Sequence, residues 1–379
     1  MGRDESATLA RLRKNRSEHL DPVFDKYAGR LEHHCARELD QSPVAGQLDL
    51  YYARSNSHEA KMRRWLLAVF INVGAAVLAA LAFGVWKRLS PDLVDQGGVP
   101  TQMEGSIVAG FYDQKLDDVG FIAGANKHVT ARKLAGSQVI YDVSYTTGPD
   151  HFRVVPEANQ AERCVLLFGD SFTFGEGVND DETFAAQIVI QSKGLVAAKN
   201  LGIGGWGAHQ FLAGLQSGRF QRAISCRPTD AVFLITAAQI GRVAGRGPWD
   251  PHGPLFRLDA KGRPMRAGNF DTAGTSLREL VGLNRLTEGE EEDLEAALIA
   301  EGEHELTRLY PGIRFRVFTW AGVADGVLWR LSERRLDVHT MQQLIPDYSV
   351  DTYLISPAIE GHPTPRAYER LAAYFLSLK

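Results

Sequence analysis

The stretch that decides the fold is CVLLFGDSFTFGEGV, residues 164–178. A short apolar run ends in Gly-Asp-Ser, with the serine at position 171, and a glycine-containing loop follows. Short apolar runs bounded by turn residues are typical of buried strands, and the ligands of doubly wound sheets bind just beyond the carboxyl ends of the strands. Ser171 is therefore predicted to lie at the ligand-binding edge of a sheet. By itself the pattern also fits an ordinary turn, since Gly, Asp and Ser dominate turns for backbone reasons.

Three further apolar runs have the same strand-like character: LVAAKNL (195–201), AVFLIT (231–236) and IRFRVFTW (313–320). Helix-like stretches separate or follow them, among them ETFAAQIVIQSKG, a segment beginning near His209, and TPRAYERLAAYFLSL. This alternation predicts an α/β fold with a parallel sheet covered on both faces. Upstream, SIVAGFYD and SQVIYDVSYTT predict an antiparallel region. The acidic run EGEEEDLEAALIAEGEHEL is interpreted as the solvated face of a helix.

The composition argues against several classes of function. The 379 residues carry a net charge of −4, which does not favour a nucleic-acid partner. The 11 histidines show no metal-ligand spacing such as HExxH, so no metal is expected. Three cysteines are too few for a disulfide scaffold. Cys164 and Cys226 either form a bridge or stay free, in which case Cys164 is a buried strand residue.

One uncharged segment indicates a membrane anchor. WLLAVFINVGAAVLAALAFGVW, residues 65–86, would form about 33 Å of helix, enough to cross a hydrocarbon core of about 30 Å. Trp65 and Trp86 at its ends fit the interfacial aromatic belt. More basic residues precede the segment than follow it, which predicts a cytoplasmic N-terminus and an extracytoplasmic C-terminal part.

These features predict four regions along the chain. Residues 1–64 would be a cytoplasmic N-terminal segment and residues 65–86 a single transmembrane helix in the inner (cytoplasmic) membrane. Residues 87–105, which contain two prolines and a Gly-Gly pair, are interpreted as a linker. Residues 106–379 would form the extracytoplasmic α/β domain.

A glycine block, NLGIGGWGAHQ (200–210), follows the second predicted strand. Its glycines permit close backbone approach to a substrate, so that a backbone N–H there can bind an oxyanion. The same block matches GxGxxG after a strand, which is the dinucleotide-binding pattern. That alternative expects an acidic residue at the end of the next strand, whereas Asp230 begins that strand.

Two further segments add chemistry. DAVFLITAAQ (230–239) ends in Gln239, whose amide N–H is a candidate donor toward the same point. IEGHPTPRAYERLA places His362 in a turn just before the last helix, with Glu360 two residues earlier. A serine hydroxyl becomes a good nucleophile when a base takes its proton, and histidine is the usual base.

The order of these segments resembles the SGNH (GDSL-type) hydrolases. GDSF early in the domain, a glycine block after the second strand, an amide after the third and a late acid-x-His-Pro carry the resemblance, over roughly residues 160–240 and 350–379. The resemblance implies a flavodoxin-like three-layer α/β/α fold. It also implies Ser171 as nucleophile, His362 as base, Glu360 as orienting acid, and the N–H groups of Ser171 and Gly205 with Gln239 as the oxyanion hole.

Two positions depart from the family pattern. Gln239 stands where the family usually has asparagine, and its longer side chain needs a different rotamer to reach the oxyanion. The family's acid is normally Asp, three or sometimes two residues before the histidine, whereas this chain has Glu360 at the second of those positions. Loss of one oxyanion donor costs a factor of about 100 to 1,000 in turnover, so the departure at Gln239 leaves room for a slow enzyme.

The resemblance implies a serine ester hydrolase that forms an acyl-enzyme without a cofactor. Its expected substrate is an acylated carbohydrate or lipid near the membrane. One alternative is an O-acyltransferase that passes the acyl group to an envelope glycan. Another, from a different class, is a domain that binds glycans without turnover.

Overall fold

The computed structural model describes residues 65–72, 100–272 and 286–378. The predicted cytoplasmic segment 1–64, residues 73–86 of the predicted span and most of the predicted linker lie outside these residues. Residues 65–72 form a helix with exposed side chains. In the described part of the chain, no helix combines the length and apolar character needed to cross a membrane. The membrane anchor therefore stays a prediction.

The α/β alternation predicted from residue 164 onward is present. The strands are β1 (Thr101–Glu104), β2 (Tyr112–Leu116), β3 (Gly120–Ala123), β4 (His128–Ala135), β5 (Gln138–Thr146), β6 (Arg163–Gly169), β7 (Val196–Asn200), β8 (Asp230–Ile235), β9 (Pro254–Leu258), β10 (Pro264–Asn269), β11 (Arg314–Thr319) and β12 (Val338–His339). The α-helices after residue 100 are α1 (Ser171–Phe174), α2 (Phe184–Gln191), α3 (Ala208–Gln216), α4 (Arg219–Ala223), α5 (Ala237–Arg242), α6 (Glu288–Leu309), α7 (Asp325–Glu333), α8 (Met341–Leu344), α9 (Val350–Tyr353) and α10 (Pro365–Ser377). Short 3₁₀ helices lie at Ser106–Val108 and Asp180–Glu182.

The central sheet is parallel and has the order β12-β11-β8-β6-β7. Numbered along the chain, its five strands lie in the order 2-1-3-4-5, which is the doubly wound order of flavodoxin-like folds. The chain reverses direction across the sheet between β6 and β8. Ligands of such sheets bind at this switch point, outside the carboxyl ends of the strands. Ser171 follows β6 directly and lies at that place.

Helices cover both faces of the sheet. Alternate residues of β6 point to opposite faces, with Leu166 and Phe168 in one apolar cluster and Val165 and Leu167 in another. The first cluster includes buried residues of α3 and α6, and the second includes those of α2 and α10. The predicted apolar face of α10 is buried at Tyr368, Leu371, Ala372 and Phe375. Thr364 caps this helix, with Pro365 at its first turn as predicted.

The predicted antiparallel region is a three-stranded sheet of order β1-β4-β5, accompanied by the hairpin β2–β3. Strand β1 lies at the end of the segment interpreted as a linker, so regular structure begins before residue 106. The pairing of β4 with β5 shifts register between Lys133 and Leu134, which is a β-bulge. Bulges bend a strand and change the direction of the side chains beside them.

The acidic run is a helix, α6, but it is not a solvated face. Glu291, Glu292 and Glu295 are buried, contrary to the interpretation from sequence. Glu291 forms an ion pair with Arg246, and Glu292 accepts from Arg330 at 2.7 Å. Within the described residues, neither carboxyl oxygen of Glu295 has a hydrogen-bond partner. Burial raises the pKa of Glu295 to about 8, with Asp170 adding to the shift and Arg242 opposing it.

Cys164 and Cys226 form a disulfide, which decides between the two alternatives left open by the sequence. Their Cα atoms are 6.2 Å apart, and the bridge joins positions 62 residues apart in the chain. Cys164 lies near the start of β6, so the bridge is at the end of the sheet opposite Ser171.

Replacement of Glu295 by glutamine should stabilise the protein in a pH-dependent way. The carboxyl has a pKa of about 4.3 in the unfolded chain and about 8 in the folded one. Because the folded pKa is raised, ionisation costs stability increasingly from pH 4 to pH 8 and costs nothing below that range. We expect Glu295→Gln to increase the free energy of unfolding by roughly 2–4 kcal/mol at pH 8 and to change it little at pH 4.5. Urea unfolding at both pH values measures this.

The control is Glu288→Gln, because Glu288 is exposed at the start of the same helix. It should change stability little at either pH. An equal effect of Glu295→Gln at pH 4.5 and pH 8 would contradict the ionisation cost and indicate a packing effect instead.

Candidate active site

Ser171 is the first residue of α1, at the turn where β6 ends. Asp170 caps this short helix, with its Oδ1 accepting from the N–H of Phe172 at 3.0 Å. The turn needs glycine at position 169, where φ is 148° and a Cβ atom would lie 2.8 Å from the carbonyl oxygen of Leu234. Ser171 is 6% exposed. The Gly-Asp-Ser motif thus orients the serine at the carboxyl edge of the sheet.

The buried carboxylate of Asp170 also stabilises this turn through hydrogen bonds of its second oxygen. Its Oδ2 accepts from Thr236 Oγ1 at 2.8 Å and from Arg242 Nη1 at 2.9 Å. Arg242 also donates to the carbonyl of Trp206 at 2.7 Å. Charge-assisted bonds of this kind are the strong ones in a protein interior. They connect the serine turn to the two segments that follow β7 and β8.

The structure brings Ser171, His362 and Glu360 together, as the resemblance implies. Nε2 of His362 lies 2.8 Å from Oγ of Ser171, and Nδ1 contacts Oε1 of Glu360. Because a carboxylate can only accept, Nδ1 carries the proton and Nε2 is free to accept the serine proton. The turn carrying both residues is closed by the N–H of Ile355, which donates to the carbonyl of His362 at 2.8 Å.

The antiparallel sheet contributes two side chains that the sequence did not single out. Nζ of Lys133 contacts Oε2 of Glu360, the oxygen that His362 leaves unused. The hydroxyl of Tyr141 donates to Oε1 of Glu176 at 3.2 Å. Oε2 of Glu176 lies 3.6 Å from Nε2 of His362, on the serine side of the ring. The imidazole therefore has a carboxylate at each of its nitrogens.

The tyrosines around Glu176 remain protonated. Burial, followed by the negative charge of Glu176, raises the pKa of Tyr141 and of Tyr112 far above the usual value. The same causes raise the pKa of Tyr145 to about 12, and its hydroxyl accepts from the N–H of Gly177 at 2.9 Å. These neutral phenols can act as hydrogen-bond donors at any physiological pH.

Gly205 lies beside the serine on the glycine block. Its φ of 84° belongs to the left-handed region that favours glycine, and a Cβ there would lie 2.5 Å from the indole nitrogen of Trp249. That nitrogen donates to the carbonyl of Gly205 at 3.2 Å. A Cβ on neighbouring Gly204 would lie 3.9 Å from the Cβ of Ser171. Among the described residues, no hydrogen bond is made by the backbone N–H of Ser171 or by that of Gly205.

The side-chain amides of Asn200 and Gln239 both donate to backbone carbonyl groups. Nδ2 of Asn200 donates to the carbonyl of Phe174 at 3.2 Å, which connects the glycine block to the last residue of α1. Gln239 is fully buried, and its Nε2 donates to the carbonyl of Leu234 at 3.0 Å. This bond turns the amide back onto the end of β8. The longer side chain of glutamine thus finds a backbone acceptor, and the predicted contribution to the oxyanion hole does not follow from its position.

Arg153 organises the loop between α1 and α2 that carries Glu176. Its side chain has no exposed surface, and its guanidinium lies 4.5 Å from the ring centroid of Tyr145. Nε donates to Asp180 at 2.8 Å. The other four bonds, of 2.5–3.2 Å, go to the carbonyls of Ser144, Phe174, Gly175 and Val178. These five bonds occupy the whole donor set of the guanidinium.

The ligand atoms of Glu176, Glu360 and His362 lie within 4.8 Å of one another, which is close enough to hold a metal ion. A cation there would compete with Lys133 for Glu360 and with Ser171 for Nε2 of His362.

The dinucleotide-binding alternative requires an acidic residue at the carboxyl end of β8, close to the glycine block. Asp230 lies at the amino end of β8, where it binds Arg163, Arg314 and Arg316, far along the strand from the glycine block.

Several solved structures resemble the chain. One is a lipolytic protein assigned to the G-D-S-L family, from Desulfitobacterium hafniense DCB-2, with 13% identity, a TM-score of 0.36, and coverage of 56% of this chain and 98% of that one. Another is an acetyl xylan esterase from the rumen bacterium Butyrivibrio proteoclasticus, with 13% identity, a TM-score of 0.35, and coverage of 60% and 65%. A family two carbohydrate esterase from Clostridium thermocellum, in complex with cellohexaose, has 12% identity, a TM-score of 0.34, and coverage of 64% and 67%.

No protein-family model matches the sequence, and no curated protein matches it significantly.

Replacement of Arg153 by lysine should destabilise the whole domain. An ammonium has three donors in place of five, so buried carbonyls and Asp180 would lose their partner. We expect a loss of roughly 3–5 kcal/mol in the free energy of unfolding, the usual cost of breaking a buried charge network. Arg263→Lys is the matched control, since Arg263 forms an exposed pair with Asp259 and should change stability by less than about 1 kcal/mol. Similar unfolding midpoints for the two variants in urea would contradict the role given to Arg153.

Proposed function

We propose that this protein is a serine ester hydrolase that works through an acyl-enzyme on Ser171. One observation carries the proposal. Oγ of Ser171 lies 2.8 Å from Nε2 of His362, whose Nδ1 contacts the buried carboxylate of Glu360. This nucleophile–base–acid arrangement is the one that activates serine in unrelated hydrolases.

The reaction follows from these groups. Oγ of Ser171 attacks the acyl carbon while Nε2 of His362 takes the hydroxyl proton. The negative oxygen that forms is held by the N–H groups of Ser171 and Gly205. The tetrahedral intermediate then expels the alcohol, which receives the proton from Nε2. A water molecule attacks the acyl-enzyme in the same manner, releases the acid and restores Ser171. Glu360 keeps the proton on Nδ1 and stabilises the imidazolium that forms twice in each cycle.

The proposed substrate is the acyl ester of a carbohydrate or lipid. Trp249 is 46% exposed and is fixed against Gly205, so an aromatic surface lies next to the acyl site. Aromatic rings offer a large rigid contact area for such a ligand.

The extracytoplasmic location predicted from the sequence is supported by the disulfide Cys164–Cys226, since disulfides persist in oxidising compartments. Anchoring through residues 65–86 would place the site close to a membrane surface.

Gln239 is the observation that favours the second reading, a domain that binds glycans without turnover. One N–H of its amide is bound to the carbonyl of Leu234, so at most the second N–H of Nε2 is left for an oxyanion. Against that reading, the bond from Ser171 to His362 is within hydrogen-bond distance and suitably placed for proton transfer.

Loss of Ser171 or His362 should abolish ester hydrolysis. With the full-length protein in detergent and p-nitrophenyl acetate as substrate, we expect Ser171→Ala and His362→Ala each to lower kcat by about 10³-fold or more. The double variant should lose little more, because the two residues act as a unit. A fluorophosphonate should label the wild type and leave Ser171→Ala unlabelled. Folded wild-type protein with neither turnover nor labelling would exclude the esterase and leave the binding domain.

The same protein preparation can distinguish acyl transfer to a sugar from hydrolysis by water. If water is the acceptor, acetate should be released from p-nitrophenyl acetate at a rate that added oligosaccharide does not change. If a sugar hydroxyl is the acceptor, the oligosaccharide should gain acetyl groups and nitrophenol release should accelerate. Mass spectrometry of the oligosaccharide, with Ser171→Ala as the blank, decides between the two.

A further inference from the structure

We propose that Lys133 is a positioning residue of the active site, acting on His362 through Glu360. This inference rests on the proposed ester hydrolase. Lys133 belongs to the antiparallel sheet, outside the doubly wound part that supplies Ser171, Glu360 and His362. Its role would explain how a glutamate, two residues before the histidine, can do the work of an orienting acid.

The contact divides the carboxylate of Glu360 between two partners. Oε2 contacts Nζ of Lys133, and Oε1 contacts Nδ1 of His362. The side chain of Glu360 is 2% exposed and that of Lys133 is 19% exposed. A buried carboxylate without a partner of opposite charge is expensive. Lys133 offsets that cost and leaves Oε1 to the imidazole.

Glutamate needs this second contact more than aspartate would. Its side chain has one more rotatable bond, so a carboxylate held only by His362 could take up several arrangements. Each arrangement would orient the ring differently with respect to Ser171. With both oxygens bound, the carboxylate plane is fixed, and with it the direction of Nε2. A misplacement of about 1 Å at such a group can cost about 100-fold in rate.

The pairing of β4 with β5 places Lys133 at the site. Lys133 pairs with Tyr141 across β4 and β5, and the bulge lies immediately after this pair. Tyr141 donates to Glu176 at 3.2 Å, and Glu176 lies 3.6 Å from Nε2 of His362. One cross-strand pair thus holds the carboxylates on both sides of the imidazole. The neighbouring Arg132 instead forms an exposed pair with Asp142, at 3.6 Å.

The experiment compares variants of the full-length protein in detergent, with p-nitrophenyl acetate as substrate. Lys133→Met keeps the length and apolar surface of the stem and removes the charge. We expect kcat to fall by about 10- to 100-fold with KM within about twofold, because in this proposal Lys133 acts on His362 through Glu360 and not by binding the substrate. Lys133→Arg, which can still bind the carboxylate, should recover most of the rate. Arg132→Met is the matched control and should retain the wild-type kcat.

A second measurement tests position separately from folding. In Lys133→Ala, ethylammonium chloride should raise kcat as its concentration increases, since the free cation can occupy the space left beside Glu360. The same salt should not raise the activity of Arg132→Met or His362→Ala. A merely structural role for Lys133 would not produce this concentration-dependent rescue.

The outcomes separate this inference from the proposed function. Wild-type turnover that Ser171→Ala abolishes and that Lys133→Met leaves unchanged would overturn the role of Lys133 alone. A folded Lys133→Met variant with low kcat that neither arginine nor ethylammonium restores would overturn it as well. An inactive, unlabelled wild type would overturn both. If Lys133→Met does not fold, the proposal is tested by the kcat of Lys133→Arg and by the ethylammonium rescue of Lys133→Ala. A low kcat in the first and no rescue of the second would overturn it.

Discussion

The buried guanidinium of Arg153 is the constraint on which the site depends. A charge with no exposed surface is tolerated because every one of its donors has an acceptor, four of them carbonyls of the surrounding backbone. Those carbonyls belong to β5, to the last residue of the serine helix and to the loop after it, so one side chain fixes the antiparallel sheet against the segment that carries Ser171. The position of Glu176, and the approach of Lys133 and Tyr141 to their carboxylates, follow from that attachment.

The site is therefore shared between two kinds of sheet. Ser171, the proposed nucleophile, follows a strand of the parallel sheet, and His362, the proposed base, lies in the turn before the last helix. The antiparallel sheet supplies an ammonium and a phenol that set the two carboxylates flanking His362. Lys133 and Glu360 are 227 residues apart in sequence. The antiparallel sheet is, on this view, part of the catalytic structure rather than a decoration of it.

Local patterns in the sequence are sufficient for α10 and for four of the five strands of the parallel sheet, since β12 is not predicted. The pairing of Ser171 with His362 is instead implied by the resemblance to the SGNH hydrolases. Those patterns reflect burial periodicity and turn chemistry, which act within a few residues. Lys133 and Arg153 could not be found in this way, since their partners are set by tertiary contacts. The acidic run before Ile313 misleads for a related reason. Its charges resemble a solvated surface, and only the packing of α6 shows that Glu295 is enclosed. The hydrogen bond of Gln239 depends on a rotamer that no sequence pattern specifies.

The disulfide lies at the amino end of β6, whereas Ser171 lies beyond its carboxyl end. A strand of this length separates the two by roughly 20 Å. Reduction of the bridge would therefore release a constraint on the unfolded chain without touching any group near the serine. The redox state of the compartment should govern how long each molecule survives, while the rate at which a surviving molecule works stays the same. The disulfide near the amino end of β6 would thus affect the lifetime of the protein, and the groups beyond its carboxyl end would affect the rate of reaction.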